Sequence, residues 1–208
     1  AEVDTVAVLR RMAWNGERAR ANRLLGEVPR AEAAATRGWV RLDNGNRRIA
    51  AAEFRRAHEL DPALHAARLG LIVVGRGEDL DPSRLDASEQ ALMRALARAQ
   101  AGDWEAVRAL DPELELFGPG HLAFAQATKL RVGWRLQTGD SRRAVAALEL
   151  VDSLLARQRT PDHYLRRARA AAAAGRPALA WAALDVVAAR PAQLRDRTRA
   201  GALALVRT

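Results

Sequence analysis

Arginines stand four residues apart at Arg37 and Arg41, at Arg94 and Arg98, and at Arg131 and Arg135. Each pair lies eight and four residues before a glycine (Gly45, Gly102 or Gly139), and Arg167 repeats the first of these positions before Gly175. Residues four apart share a face of a helix, so each pair would present two guanidinium forks side by side. Such a fork takes a carboxylate through two parallel hydrogen bonds and keeps its charge at any working pH. The chemistry on offer is capture of an acidic group rather than making or breaking of bonds. Trp39 and Trp134 fall within two of the same segments. Packing between helices is the default use of all five tryptophans, Trp14, Trp39, Trp104, Trp134 and Trp181, whereas a partly exposed Trp39 or Trp134 beside arginines would mark a contact hot spot.

Other chemistry has little support. The chain has no cysteine, which removes disulfides, thiolate metal sites and cysteine nucleophiles together. His58, His65, His121 and His163 are scattered and none belongs to a HExxH helix. The two in the second and third helical units could approach one another, but isolated histidines are more often satisfied or surface groups, and no metal is expected. Asp79, Asp81, Ser83 and Asp86 alternate as calcium ligands would, but Pro82 and the lack of a glycine at the sixth position favour helix-capping aspartates. No phosphate-binding loop, nucleophile elbow or dinucleotide fingerprint occurs, and the glycines of "GRGED" at Gly75 read as a turn. A non-enzyme without a cofactor is expected.

The elements that must carry the arginines follow from a recurrent spacing. After Gly45 come Ala50, Phe54 and Ala57 at +5, +9 and +12; after Gly139, Ala144, Leu148 and Val151; after Gly175, Ala180, Leu184 and Val187; after Gly16, Ala21, Leu25 and Val28. Steps of four and three draw one stripe down a helix, with a small residue that admits a neighbour and a large one that fills beside it. Apolar residues upstream of the glycines, such as Val8, Leu9 and Met12, or Ala66, Leu69, Gly70 and Val73, supply a first helix. The unit is helix, glycine turn, helix, and the chain is all-α.

This pattern resembles the tetratricopeptide repeat family. Residues 32–64 carry Gly38, Gly45, Ala50, Phe54, Ala57 and the closing Leu60-Asp61-Pro62 at the family's spacing, and 162–191 match through Tyr164, Ala168, Gly175, Ala180 and Leu184. Units turning at Gly16, Gly77, Gly102 and Gly139 match loosely, so the repeats are irregular. The resemblance implies an α-solenoid of antiparallel hairpins in which first helices line a concave groove, where some members grip a peptide's terminal carboxylate with basic side chains. It also implies apolar residues where this chain has its arginine pairs. Because buried unpaired arginine is prohibitively costly, those helices are expected to be rotated, with Trp39 and Leu42, Leu92 and Leu96, and Leu130 and Trp134 facing the core and the arginines facing solvent.

The middle departs most. Residues 77–85 are expected to be a loop, with Asp86 capping a new helix and Glu89 at the capping-box position. A short helix over 103–110 and a loop over 111–120, rich in proline and glycine, place a seam there, between an N-terminal part at 1–110 and a C-terminal part at 121–208. Residues 192–207 are expected to form a closing helix that covers the last exposed face.

The 208 residues carry a formal charge of +9, from thirty-three arginines and one lysine against twenty-five acids. So lopsided a basic composition fits a GC-rich, bacterial genome and is weak evidence for nucleic acid. Its distribution says more, with +5 over residues 1–57, −6 over 58–118 and +10 over 119–208, a layout able to orient a charged partner. No apolar run approaches a membrane span. The expectation is a bacterial interaction scaffold or adaptor, cytoplasmic or periplasmic, or one domain of a larger protein, that holds an acidic partner segment in an arginine-lined groove through Arg37, Arg41, Arg94, Arg98, Arg131, Arg135 and Arg167. The alternatives are binding of an anionic polymer (RNA or an envelope polysaccharide), a positioning role, or arginines that simply solvate a surface.

Overall fold

The computed structural model describes residues 5–15, 17–137, 140–156 and 159–189. Gly16, Gly139, the expected closing helix over 192–207 and the side chain of Trp14 lie outside the described residues. The fold is all-α. Among the described residues there are twelve α-helices, two 3-10 turns and no strand, and no helix is long and apolar enough to cross a membrane.

The chain divides into two compact units whose boundary interleaves: residues up to 100 join 112–126, while 101–111 join the chain from 127 onward. The expected seam over 111–120 is therefore not a simple linker, since most of it belongs to the first unit. It is also partly helical, at Asp111–Glu115. Pro112, read as a loop residue, sits in the first turn of that helix, where its missing N–H has no partner to lose.

The first unit contains α1 (Thr5–Trp14), α2 (Arg18–Leu24), α3 (Arg30–Asp43), α4 (Arg47–Leu60), α5 (His65–Val73) and α6 (Ala87–Gln100). α1 packs on α2, α3 on α4, α4 on α5 and α5 on α6, and α1, α3 and α5 also pack in series. The second unit contains α7 (Trp104–Ala109), α9 (Phe124–Gln137, which enters this unit at residue 127), α10 (Ser141–Leu155), α11 (Pro161–Ala173) and α12 (Pro177–Ala188); the short α8 (Asp111–Glu115) spans the chain boundary.

Local chemistry sets these elements. Gly45, Gly75 and Gly175 take φ of 75°, 70° and 69°, and each closes its helix with the same pair of backbone bonds. Gly45 N–H reaches Leu42 O and Asn46 N–H reaches Arg41 O, both at 2.8 Å; Gly75 and Arg76 do likewise to Ile72 and Leu71, and Gly175 and Arg176 to Ala172 and Ala171. A residue with a Cβ adopts this left-handed turn at a cost, which is why the helices stop at glycine. In the third unit the turn glycine is Gly75, not the expected Gly77. Gly77 instead opens a 3-10 turn, where an added Cβ would meet Met93 Sδ at 2.8 Å.

Helix starts follow side-chain caps. Asp86 Oδ1 accepts from Glu89 N–H at 2.8 Å while Glu89 Oε2 accepts from Asp86 N–H at 2.9 Å, the reciprocal box expected at the head of α6. Asp103 caps α7 through Ala106 N–H, Asp140 caps α10 through Arg142 N–H, and Thr160 caps α11 ahead of Pro161.

The expected stripes form the cores. In the first unit Ala50, Phe54 and Ala57 are completely buried. The Phe54 ring lies in a notch between Gly38 of α3 and Gly70 of α5: a Cβ on Gly38 would fall 2.5 Å from Phe54 Cε1, and one on Gly70 would clash with Cδ1 of the same ring. In the second unit Val132, Ala147, Leu148, Val151, Ala170, Ala171 and Ala180 join α9 to α12 in one cluster. Small residues on facing helices let the backbones close in, and the larger ones fill what remains.

Candidate binding surfaces

Core packing fixes which way the arginine-bearing helices face. Trp39, Leu92, Leu130 and Trp134 are buried, so α3, α6 and α9 are turned as their sequence spacing required. What the arginines then meet differs from helix to helix.

On α3, Arg37 is half exposed and donates to Glu53 of α4 at 3.1 Å. Arg41, one turn on, is exposed and its side chain has no hydrogen-bond or ion-pair partner among the described residues. Arg94 on α6 is likewise exposed without a described partner, and Arg98 is exposed one turn further along. These four belong to the first unit.

The pair on α9 does not face solvent as expected. Arg131 and Arg135 are each only 13% exposed and converge on Asp111. Asp111 Oδ1 accepts from Arg131 Nε at 3.1 Å, Arg135 Nη1 at 3.0 Å and Trp134 Nε1 at 2.9 Å, and Oδ2 accepts from Arg135 Nη2 at 2.8 Å. Burial works to raise the Asp111 pKa, but the bonds from Arg135, Trp134 and Arg131 outweigh it and hold the carboxyl below its ordinary value. A carboxylate with four donors is anchored, and so are its arginines. Arg167 on α11 is similarly engaged, by Asp152 of α10 at 2.7 Å. Arg131, Arg135 and Arg167 are thus internal braces of the second unit rather than rungs of an open ladder.

Trp39 is also corrected. It is 1% exposed, donates Nε1–H to Ala66 O at 3.1 Å, and meets Phe54 edge-on at 5.2 Å. Arg10 lies over its other side, 4.7 Å from the ring, and is itself clamped by both oxygens of Asp43 at 2.7 and 2.8 Å and by Leu122 O at 2.9 Å. Nothing of this indole is left for a partner, so it is a packing residue. Arg10 was not singled out in the sequence, where it stands beside Arg11 with no mark of its role.

A second cluster missed in the sequence surrounds Glu89, which is fully buried. Its Oε1 receives Arg68 Nε at 3.0 Å and lies 2.9 Å from His65 Nδ1, and its Oε2 receives the Asp86 N–H of the capping box. Desolvation pushes its pKa up, yet the donors from His65, Asp86 and Arg68 bring it below the ordinary value. Ligand atoms of His65, Asp86 and Glu89 lie within 4.8 Å of one another, close enough for a shared cation. The Arg68 guanidinium on the central oxygen opposes a divalent ion there. His121, stacked edge-on to His65 at 5.9 Å, accepts Ala123 N–H on Nδ1 at 3.1 Å. That bond places the neutral ring's proton on Nε2 and removes the lone pair a metal would need. The cluster balances charge and starts a helix.

The second unit also holds an open cleft of about 540 Å³. Trp104 and Arg108 of α7, Trp134 and Gln137 of α9, and Arg143 of α10 form most of its wall. Trp134 is 8% exposed, with the Arg135 guanidinium 4.2 Å and that of Arg143 5.9 Å from its ring. The Trp104 ring edge rests on Gly133, where an added Cβ would come within 2.5 Å. Of the candidate binding residues taken from the sequence, Trp134 is the one in the lining of this cleft. No protein-family model matches the chain, and no curated protein or solved structure is significantly similar to it.

Proposed function

We propose that this protein is a non-catalytic interaction module of tetratricopeptide-like hairpins that binds an acidic segment of a partner protein through Arg37, Arg41, Arg94 and Arg98. The observation that carries the reading is that Arg41 and Arg94 stand exposed on helices rigidly seated by Trp39 and Leu92, with no described partner for their side chains. Core packing fixes the helix positions from which these side chains project, and a guanidinium with no described partner has no internal bond to give up before it takes a carboxylate. The arginines of α9 and α11 are left out of the site, because Asp111 and Asp152 already occupy them.

Selection of displayed twelve-residue peptides tests it. Wild-type protein should enrich sequences with clustered Asp and Glu, and the Arg37→Ala, Arg41→Ala, Arg94→Ala triple variant should lose that enrichment while keeping its fold. Equal enrichment by both proteins overturns the proposal. A salt titration of the selected peptides separates it from polymer binding. A nucleic acid or other polyanion held by counterion release loses log affinity linearly and steeply with log salt, whereas a short peptide held by a few carboxylate contacts should lose it with a shallower slope.

A further inference from the structure

We propose that the cleft formed by α7, α9 and α10 is a separate binding site for a carboxylate-bearing peptide, with Arg108 and Arg143 holding the carboxylate and Trp104 receiving an adjacent apolar side chain. The proposal does not depend on the arginines of α3 and α6, and it uses residues of the second unit alone.

The cleft is built rather than incidental. Its volume of about 540 Å³ suits a few residues of extended chain. Its inner wall, Trp134, is fixed by the bond from Nε1 to Asp111 and by the Arg135 guanidinium over its ring, so the wall needs no ordering when a ligand arrives. Its outer wall, Trp104, is partly exposed, presenting an indole surface to the opening while the ring edge is seated on Gly133.

The charged groups at the rim are unequal in availability. Asp103 Oδ1 is engaged in capping α7, and Glu105 is paired to Arg108 at 3.3 Å. Among the described residues the ion-pair partners of the two arginines are carboxylates one turn away on the surface, Glu105 for Arg108 and Asp140 for Arg143 at 3.5 Å. Such exposed pairs contribute little and exchange readily. Each guanidinium has five N–H donors in a planar fork, most of them unused by a single contact of this kind. Arg143 also lies 5.9 Å from the centre of the Trp134 ring, which keeps its guanidinium beside the inner wall of the cleft. A carboxylate entering between Arg108 and Arg143 exchanges two weak surface pairs for charge-assisted bonds inside a recess. A nucleic-acid strand fits less well, since Asp103 and Glu105 stand in the lining beside the two arginines, which suits one carboxylate better than a run of phosphates.

The carboxylate can belong to an Asp or Glu side chain or to a chain terminus, and the test has an arm for each. The indole N–H signals of ¹⁵N-labelled protein, assigned through Trp104→Phe and Trp134→Phe, are followed against two probes. One is an acetylated and amidated pentapeptide with two glutamates flanking a leucine; the other is an acetylated tetrapeptide of alanine and leucine with a free C-terminal carboxylate. The first probe with glutamine in place of glutamate is the control.

A saturable shift of the Trp104 and Trp134 signals with one probe and not the control is expected, and the responding probe identifies the source. Arg108→Gln and Arg143→Gln should each weaken that response about tenfold, the size of one charge-assisted bond, with the thermal midpoint unchanged. Arg37→Gln with Arg41→Gln should leave it intact, so failure here and failure of the α3 and α6 surface are distinguishable. The proposal is overturned by no shift with either probe to about 10 mM, by an equal shift with the control, by unchanged affinity in both arginine variants, or by an eight-nucleotide oligouridylate producing the shifts that the peptides do not.

Discussion

Substituting Gly70 by alanine should destabilise the protein, although at an ordinary helix position the same change stabilises it by about 1 kcal/mol. Gly70 lies inside α5, and an alanine Cβ there would overlap Cδ1, Cε1 and Cγ of Phe54. Carbon atoms in contact sit about 3.5 to 4.0 Å apart, so the ring must retreat by roughly 1 Å or more. It has nowhere to go. Phe54 is completely buried, Gly38 closes its far side at 2.5 Å for a would-be Cβ, and Trp39 meets it edge-on with its own nitrogen tied to Ala66 O. Overpacking of this kind costs about 1 to 3 kcal/mol, and the crowding from two directions puts this site at the upper end. Set against the helix gain, Gly70→Ala should lose about 1 to 2 kcal/mol net, and Gly38→Ala a similar amount. The diagnostic is the cycle with Phe54→Leu. In that background the branched side chain vacates the ring volume, and Gly70→Ala should become neutral or stabilising, a coupling of at least about 1 kcal/mol. Urea unfolding followed by far-UV circular dichroism measures each corner, with unchanged slopes marking a native-state effect. A Gly70→Ala protein as stable as wild type, or equal penalties with and without the Phe54 ring, would refute the wedge.

Acid should weaken the fold for a specific reason. Burial tends to raise the carboxyls of Glu89, Asp111 and Asp162, but their cationic and N–H partners leave all three below their ordinary values. Groups lowered in the folded state stabilise it fully above their unfolded values of 4.5 and 3.8 and lose that contribution as pH falls through the folded ones. Thermal midpoints should therefore be flat with respect to these groups down to about pH 5 and drop below pH 4, and the Glu89→Gln, Asp111→Asn double variant should show a shallower acid limb. Asp111→Asn alone should cost about 1 to 3 kcal/mol and move the Trp134 indole signal, which a merely solvent-facing arginine pair would not allow. Arg10→Ala should cost about 2 to 4 kcal/mol by chemical unfolding, because it strips both oxygens of Asp43 and the face of Trp39; Arg41→Ala should stay within about 0.5 kcal/mol.

How much of this was written locally in the chain can be judged residue by residue. The capping box at Asp86 and Glu89, the cap at Asp103, the glycine turns at Gly45 and Gly175, and the buried stripe of Ala50, Phe54 and Ala57 all depend on neighbours within one or two turns. Such features are legible because the interacting groups sit at fixed offsets in sequence. The turn at Gly75 was misplaced by two residues because "GRG" offers two glycines, and the choice between them rests on Met93 of another helix closing against Gly77. The helix at Asp111–Glu115 was missed because proline and glycine nearby suggested a loop. The Trp104 and Arg143 cleft, built by three helices, has no local pattern at all.

The three arginine pairs make the same point about function. By spacing they are equivalent, two forks on one helical face, and by core packing they are equivalent again, since Trp39, Leu92 and Trp134 all face inward. What separates the α9 pair from the α3 pair is that one aspartate about twenty residues upstream takes both of its arginines, whereas Glu53 takes Arg37 and leaves Arg41. Asp111 reaches Arg131 and Arg135 and converts two potential ligand contacts into a brace, whereas no described carboxylate reaches Arg41 or Arg94. A repeated surface motif therefore does not imply a repeated role, because the free energy of a guanidinium's bonds is available to a partner only where the fold has not already used it. The corollary is specific. Replacing Asp111 should release donors in the second unit at the expense of stability, and acidic-peptide capture by that unit should rise as its thermal midpoint falls. An Asp111→Asn variant that loses stability without gaining any affinity for the selected acidic peptides would break the link between the two.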